Sequence, residues 1–136
     1  MNKSLSIFSK DFILLSAFGL LSVSLMAFHD PQSVMNLVQV KLPNPDAYSS
    51  IRGIYGGAGL AIVITLLDRL RKNIREGLCF LCLFWGLYAL SRVITIYAEG
   101  TLGSFGTQWF IIESICFITS AVLVIVTQNK TEVARL

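Results

Sequence analysis

Four apolar segments, at residues 12–28, 51–67, 78–97 and 109–127, constrain this chain more than any other feature of it. Each is about long enough to cross the hydrocarbon core of a bilayer, which takes roughly 17 to 25 helical residues. Lipid offers backbone amides no partner, so a crossing segment must close its own hydrogen bonds as a helix. None shows the short alternating runs of a barrel strand. The sequence therefore predicts an all-α fold: a four-helix transmembrane bundle, with residues 1–136 forming a single integral membrane domain. Composition supports this, since 54% of the residues are hydrophobic and the mean hydropathy is +0.70, beyond the range of ordinary soluble domains.

Orientation is read from lysine and arginine, which concentrate in short cytoplasmic segments. Lys3 and Lys10 precede the first span, Arg69, Arg71, Lys72 and Arg75 fill the second connection, and Lys130 and Arg135 lie in the tail. Lys41 alone stands in the opposite loops, while Arg52 and Arg92 are associated with spans. Both termini are expected in the cytoplasm. This topology explains most of the net charge of +3, and a nucleic-acid partner is not implied. The first span begins like a signal peptide, but its apolar run is long and no clean small-x-small site follows. It is read as an uncleaved anchor.

The longest connection, residues 29–50, is predicted on the outer side. Its middle, SVMNLVQVKL, is apolar enough to lie among headgroups as a short helix or strand-like cover, and PNPD fixes a turn before the second span. Asp46 or Ser49 is the expected cap of that span. The connection DRLRKNIRE is short, while EGTLGSFGT, with three glycines, is expected to be a flexible loop. The polar tail after Thr127 is expected to fray.

Ionisable residues inside spans are costly unless they pair or face a cavity. Arg92 and Glu113 lie inside the third and fourth spans, and Arg52 opens the second. At a rise of about 1.5 Å per residue, Arg92 lies about 7.5 Å below the outer end of its helix and Glu113 about 6 Å below that of its own. Arg52 enters from the same side, so all three charges are expected at one level. Arg52, Tyr55, Gly56 and Gly59 share a helix face, as do Trp85, Tyr88, Arg92 and Thr95, and Trp109, Glu113, Cys116 and Ser120. Glu113 is therefore expected to pair with Arg92, Arg52 or both, with Tyr55 and Tyr88 supplying hydroxyls. A pair of this kind fixes helix register even without chemistry. Two arginines and one carboxylate, however, leave a positive surplus that a bound anion would balance. Gly53 and Gly57 form a GxxxG pair, and Gly56 and Gly59 a second small-residue ridge that permits close helix contact.

The segments IRGIYGGAGLAI, GLYALSRVITIYAEG and WFIIESI resemble the bacterial four-span membrane family catalogued as domain of unknown function 4345. The resemblance covers about residues 48–127 and leaves residues 1–47 outside. Arg52, Tyr55, Gly56 and Gly57 carry its R-x-x-Y-G-G segment, Gly86, Ser91 and Arg92 its G-x-x-x-x-S-R segment, and Glu113 its acidic position. It implies a four-span bacterial membrane protein and offers no activity.

Other chemistry is poorly supported. Cys79 and Cys82 have C-x-x-C spacing within a helix, where they cannot readily close a disulfide and lack a second ligand pair for a metal. His29 is the only histidine, and Ser91 has no base beside it. No cofactor, metal site or catalytic set is expected. The leading expectation is a small non-enzymatic accessory or interaction subunit, in contact with membrane lipids and with another membrane subunit or copies of itself. The alternative is a binder or transporter of an amphiphilic anion, a lipid or lipophilic carboxylate, held by Arg52 and Arg92. An enzyme acting on a lipid is a third reading.

Overall fold

The structure, a computed structural model, describes the backbone of residues 3–133 and the side chains of residues 3–127. Six α-helices follow one another: α1 (Lys3–His29), α2 (Pro31–Asn36), α3 (Pro45–Ile51), α4 (Gly59–Lys72), α5 (Ile74–Ala98) and α6 (Ser104–Val133), with a π-helical segment, Arg52–Ala58, joining α3 to α4. Among the described residues there is no strand, and the fold is all-α, of the four-helix class. Four helical stretches, Lys3–His29, Pro45–Lys72, Ile74–Ala98 and Ser104–Thr127, are long and apolar enough to cross a membrane. The chain is a multi-pass membrane protein, and large side chains such as Leu15, Phe18, Ile64 and Leu83 stand exposed on these helices, where lipid rather than water is the natural solvent.

Every helix outruns the apolar window that predicts it, because polar residues at a helix end reach the interface without interrupting the backbone ladder. The second span begins at Pro45, and its cap is Asn44, whose side chain accepts the Ala47 amide at 2.9 Å. Neither Asp46 nor Ser49 caps it. Proline is suited to the first helical position, so the capping position falls one residue earlier, and Asp46 lies instead in the first turn, where the helix dipole favours an acid. The connection DRLRKNIRE shrinks to Asn73, which caps α5 by accepting the Glu76 amide at 3.4 Å while its own amide donates to the Glu76 carboxylate at 2.8 Å. In EGTLGSFGT only residues 99–103 are non-helical, with Gly100 at φ +105, so this loop is shorter than expected. The backbone beyond Thr127 stays helical to Val133 rather than fraying; Lys130 and Arg135 lie outside the described side chains.

The chain resolves into two compact units, each described by itself. One is formed by Asp11–Lys72. Here α1 runs antiparallel to the π segment and α4, since rising numbers on α1 meet falling numbers on the partner: Ser24 faces Gly59 and Phe28 faces Gly56. The buried stripe of α1 combines small and apolar residues, with Ile13, Ser16, Ala17, Ser24 and Ala27 among them. At its last turn, Ala27 joins Val34, Met35 and Leu42 in a small core covered by Ala47, Tyr48 and Ile51. The α2–α3 connection is held over that core by Gln32. Its Nε2 donates to the Val40 carbonyl at 2.9 Å and to Asn36 Oδ1 at 2.7 Å, and its Oε1 accepts the Leu42 amide at 2.9 Å. The cover expected from SVMNLVQVKL is thus one short helix and a clasped loop, with no strand.

The other unit holds residues 3–10 together with 73–133. Its main element is the antiparallel hairpin of α5 and α6, whose approach is set by Gly86: a Cβ there would lie 2.9 Å from the Phe117 ring. Leu78, Leu81 and Trp85 on α5, and Glu113, Ser120, Leu123 and Thr127 on α6, are buried. Ser120 and Thr127 satisfy their hydroxyls on their own helix, donating to Cys116 and Leu123 carbonyls.

Two outcomes follow for the first unit. A methyl at residue 59 collides with the Ser24 hydroxyl, so Gly59→Ala is expected to lower the melting temperature in detergent by overpacking, a loss of about 1–3 kcal/mol. In a Ser24→Ala background the same change should become stabilising, since alanine is about 1 kcal/mol better than glycine in a helix. Asp30 caps α2, accepting the Ser33 hydroxyl at 2.5 Å and the Gln32 amide at 3.1 Å. The Ser33 hydrogen bond, chiefly, holds its carboxyl below the ordinary carboxylate range. The support it lends α2 is complete above the unfolded carboxyl's pKa and is lost as pH falls through the depressed folded one. A carboxyl NMR titration should therefore show Asp30 moving upward in Ser33→Ala.

Candidate functional site

Arg92 and Glu113 meet across the α5–α6 hairpin. Arg92 Nε donates to Glu113 Oε2 at 3.1 Å and its Nη2 donates to Oε1 at 3.0 Å, a two-pronged ion pair. The Glu113 side chain is 2% exposed and that of Arg92 25%. Helical spacing puts Arg92 on the stripe of Leu78, Leu81 and Trp85, and Glu113 on that of Ser120, Leu123 and Thr127. Both charges therefore face the hairpin's interior. A planar fork matched to both carboxylate oxygens is the arrangement best able to offset removal of two charges from water. The pair is neutral as a whole, and the positive surplus expected from the sequence does not arise here.

Aromatic rings lie directly along α5 from this pair. Trp85 and Tyr88 have ring centroids 6.4 Å apart, and Phe84 lies 4.8 Å from Tyr88. The Trp85 indole Nε1 and the Ser9 hydroxyl, both in this unit, are buried and have no hydrogen-bond partner among the described residues. Ser91 and Thr95 turn their hydroxyls onto the carbonyls of Tyr88 and Ser91 within α5.

Arg52 is engaged differently. Its Nε donates to the Phe28 carbonyl at 3.2 Å, at the last turn of α1, and the residue is exposed. An arginine on terminal helix carbonyls both satisfies orphan acceptors and lies at the negative end of the helix dipole. Arg52 is also the first residue of the π segment, RGIYGGA; single π turns in otherwise α-helical stretches are frequent at functional sites. Tyr55, on the same segment, is 36% exposed, and its hydroxyl has no partner among the described residues. The two glycine ridges part company here. Gly56 and Gly59 are occupied by Phe28 and Ser24 of α1, whereas a Cβ on Gly53 would meet nothing within 4 Å and one on Gly57 only a backbone oxygen at 4.0 Å.

Across all this the sequence matches one family model, over residues 8–124. The chain belongs to the family described as Domain of unknown function (DUF4345). The family match takes in the first span and the connection after it, which the motif resemblance over 48–127 leaves outside. No curated protein and no solved structure matches the chain.

Three features of these sites escape sequence reasoning. The π segment at Arg52–Ala58 is one, since a glycine-rich run does not by itself distinguish π from α hydrogen bonding. The Ser24–Gly59 contact had a visible signal, the small residues Ser9, Ser16, Ala17 and Ser24 recurring on one face of the first span. The clasp made by Gln32 had none. Among the described residues no three His, Cys, Asp or Glu side chains gather as metal ligands, and Cys79, Cys82 and Cys116 are free thiols.

Removing one member of the ion pair leaves the other without its counter-charge. Glu113→Gln or Arg92→Met alone is expected to lower stability by on the order of 3 kcal/mol, read as thermal unfolding in micelles. The double variant Arg92→Met/Glu113→Leu should recover most of that loss, because apolar groups of similar volume replace a desolvated pair at little net cost. Single and double variants of equal stability would show that the pair does not hold the hairpin.

Proposed function

We propose that this protein is a small accessory or interaction subunit of the bacterial inner membrane, with both termini cytoplasmic, that acts by associating with another membrane subunit or with further copies of itself. What supports the reading is the split between its two glycine ridges. Helices in lipid associate through close packing of small residues, since apolar surface alone gains nothing by leaving hydrocarbon. Gly56 and Gly59 are used up by α1, while Gly53 and Gly57, one turn apart and flanked by exposed Ile54 and Tyr55, offer the same kind of surface with no side chain of the described residues within 4 Å of an added Cβ. The orientation rests on Lys3, Lys10 and the Arg69–Arg75 cluster. Among the described residues Ser91 and Thr95 bond to backbone carbonyls and not to a base, which favours a binding role over catalysis.

Native mass spectrometry from mild detergent is the direct test. The wild type is expected to give one reproducible assembly, and Gly57→Leu to release monomer without lowering the melting temperature. Gly59→Leu should instead unfold the chain. Wild-type protein that flies only as a monomer under gentle conditions would overturn the association reading.

A further inference from the structure

We propose that Arg52 is a phosphate-binding residue that takes the headgroup phosphate of an anionic phospholipid. The inference goes beyond association between proteins and does not depend on it.

Of the two arginines inside the apolar segments 51–67 and 78–97, Arg92 is matched by Glu113 through two hydrogen bonds. Arg52 has no acidic partner among the described residues, and its one hydrogen bond, from Nε to the Phe28 carbonyl, occupies only one edge of the guanidinium. That bond restrains the group, and among the described residues the two terminal nitrogens have no acceptor. A guanidinium held in this way is a preformed fork for two oxygens of a phosphate, a geometry that lysine cannot reproduce. Nearby acids are otherwise engaged or remote in role: the Asp30 carboxylate is taken by the Ser33 hydroxyl and the Gln32 amide, and Asp46 belongs to the first turn of α3.

The surroundings suit a lipid rather than a free ion. Arg52 stands where α3 gives way to the π segment, about 10 Å along the membrane-length stretch that begins at Pro45, a depth from which a long arginine side chain reaches the headgroup level. A Cβ on the next residue, Gly53, would meet nothing within 4 Å, and Ile54 is 63% exposed immediately beyond it. A phosphate on Arg52 would thus have its acyl chains led onto apolar surface, and the unpartnered Tyr55 hydroxyl one turn away is a second donor on the same segment.

The test titrates the full-length protein with dioleoylphosphatidylglycerol, with dioleoylphosphatidylcholine and, in lipid-free micelles, with sodium phosphate. Bound lipid is counted by native mass spectrometry and the Arg52 Nε–H resonance is followed by NMR. Wild-type protein should retain the anionic lipid in preference to the zwitterionic one, with the Arg52 resonance shifting on its addition. Arg52→Gln should weaken that binding by about tenfold and Arg52→Lys by less, as expected for loss of a charge-assisted contact. Arg71→Gln, which removes a charge of the same sign elsewhere, should leave it within about twofold. Unchanged lipid binding in Arg52→Gln, an equal fall in Arg71→Gln, or an Arg52 resonance that ignores lipid would each overturn the proposal. So would a resonance that responds to inorganic phosphate as strongly as to phosphatidylglycerol. If Arg52→Gln does not fold, the wild-type resonance and Arg52→Lys decide the matter.

Discussion

The hydrocarbon interior of a bilayer leaves a peptide group one place to find a hydrogen bond, its own helix, and every other feature of this protein follows from that restriction. Once the long segments are helical, hydrophobicity no longer distinguishes one helix partner from another, because a leucine against lipid is as well placed as a leucine against a leucine. What remains to select contacts is the close approach of backbones and the few polar groups that must be satisfied. Both units use these two devices at different strengths. The unit of α5 and α6 joins its helices through a charged fork and one glycine, Gly86; the unit of α1 and α4 relies on Gly56, Gly59 and the hydroxyl of Ser24.

The two arginines illustrate how the same side chain takes different roles in one membrane protein. Arg92 points into a hairpin, where its charge is matched by a carboxylate that is 2% exposed. Such a pair contributes little net stability compared with apolar packing, yet it penalises every register in which the two residues do not meet. Arg52 instead anchors itself to a helix end through a neutral acceptor, and among the described residues its charge meets no acidic group. One is therefore a fastening within the fold, and the other has capacity left for a ligand. Identical residue types and similar sequence settings hide this division, which depends on what each terminal nitrogen finds.

The family match widens the region to be explained. It reaches back to residue 8 and so includes α1 and the clasped α2–α3 connection. Those elements build the surface against which Arg52 and the glycine ridge are positioned: Phe28 supplies both the ring over Gly56 and the carbonyl for Arg52. The first span and the connection after it are thereby packed in one unit with the R-x-x-Y-G-G segment.

Much was legible in the residues alone. Long apolar runs determine helices because no alternative conformation satisfies backbone groups in lipid, and an arginine and a glutamate at matching depths on neighbouring spans have strong reason to pair. The close-packing ability of the two glycine ridges is likewise written in their spacing. Boundaries were less legible: Asn44, Asn73 and the short turn at Gly100 mark ends that depend on which local side chain reaches an open amide first. Only the tertiary structure decided that Arg52 lies on the Phe28 carbonyl, that α1 covers Gly56 and Gly59 and leaves Gly53 and Gly57 open, and that a π turn joins α3 to α4. The reason is physical: helical spacing tells which residues share a face, but which face is covered is settled by the neighbour that packs there.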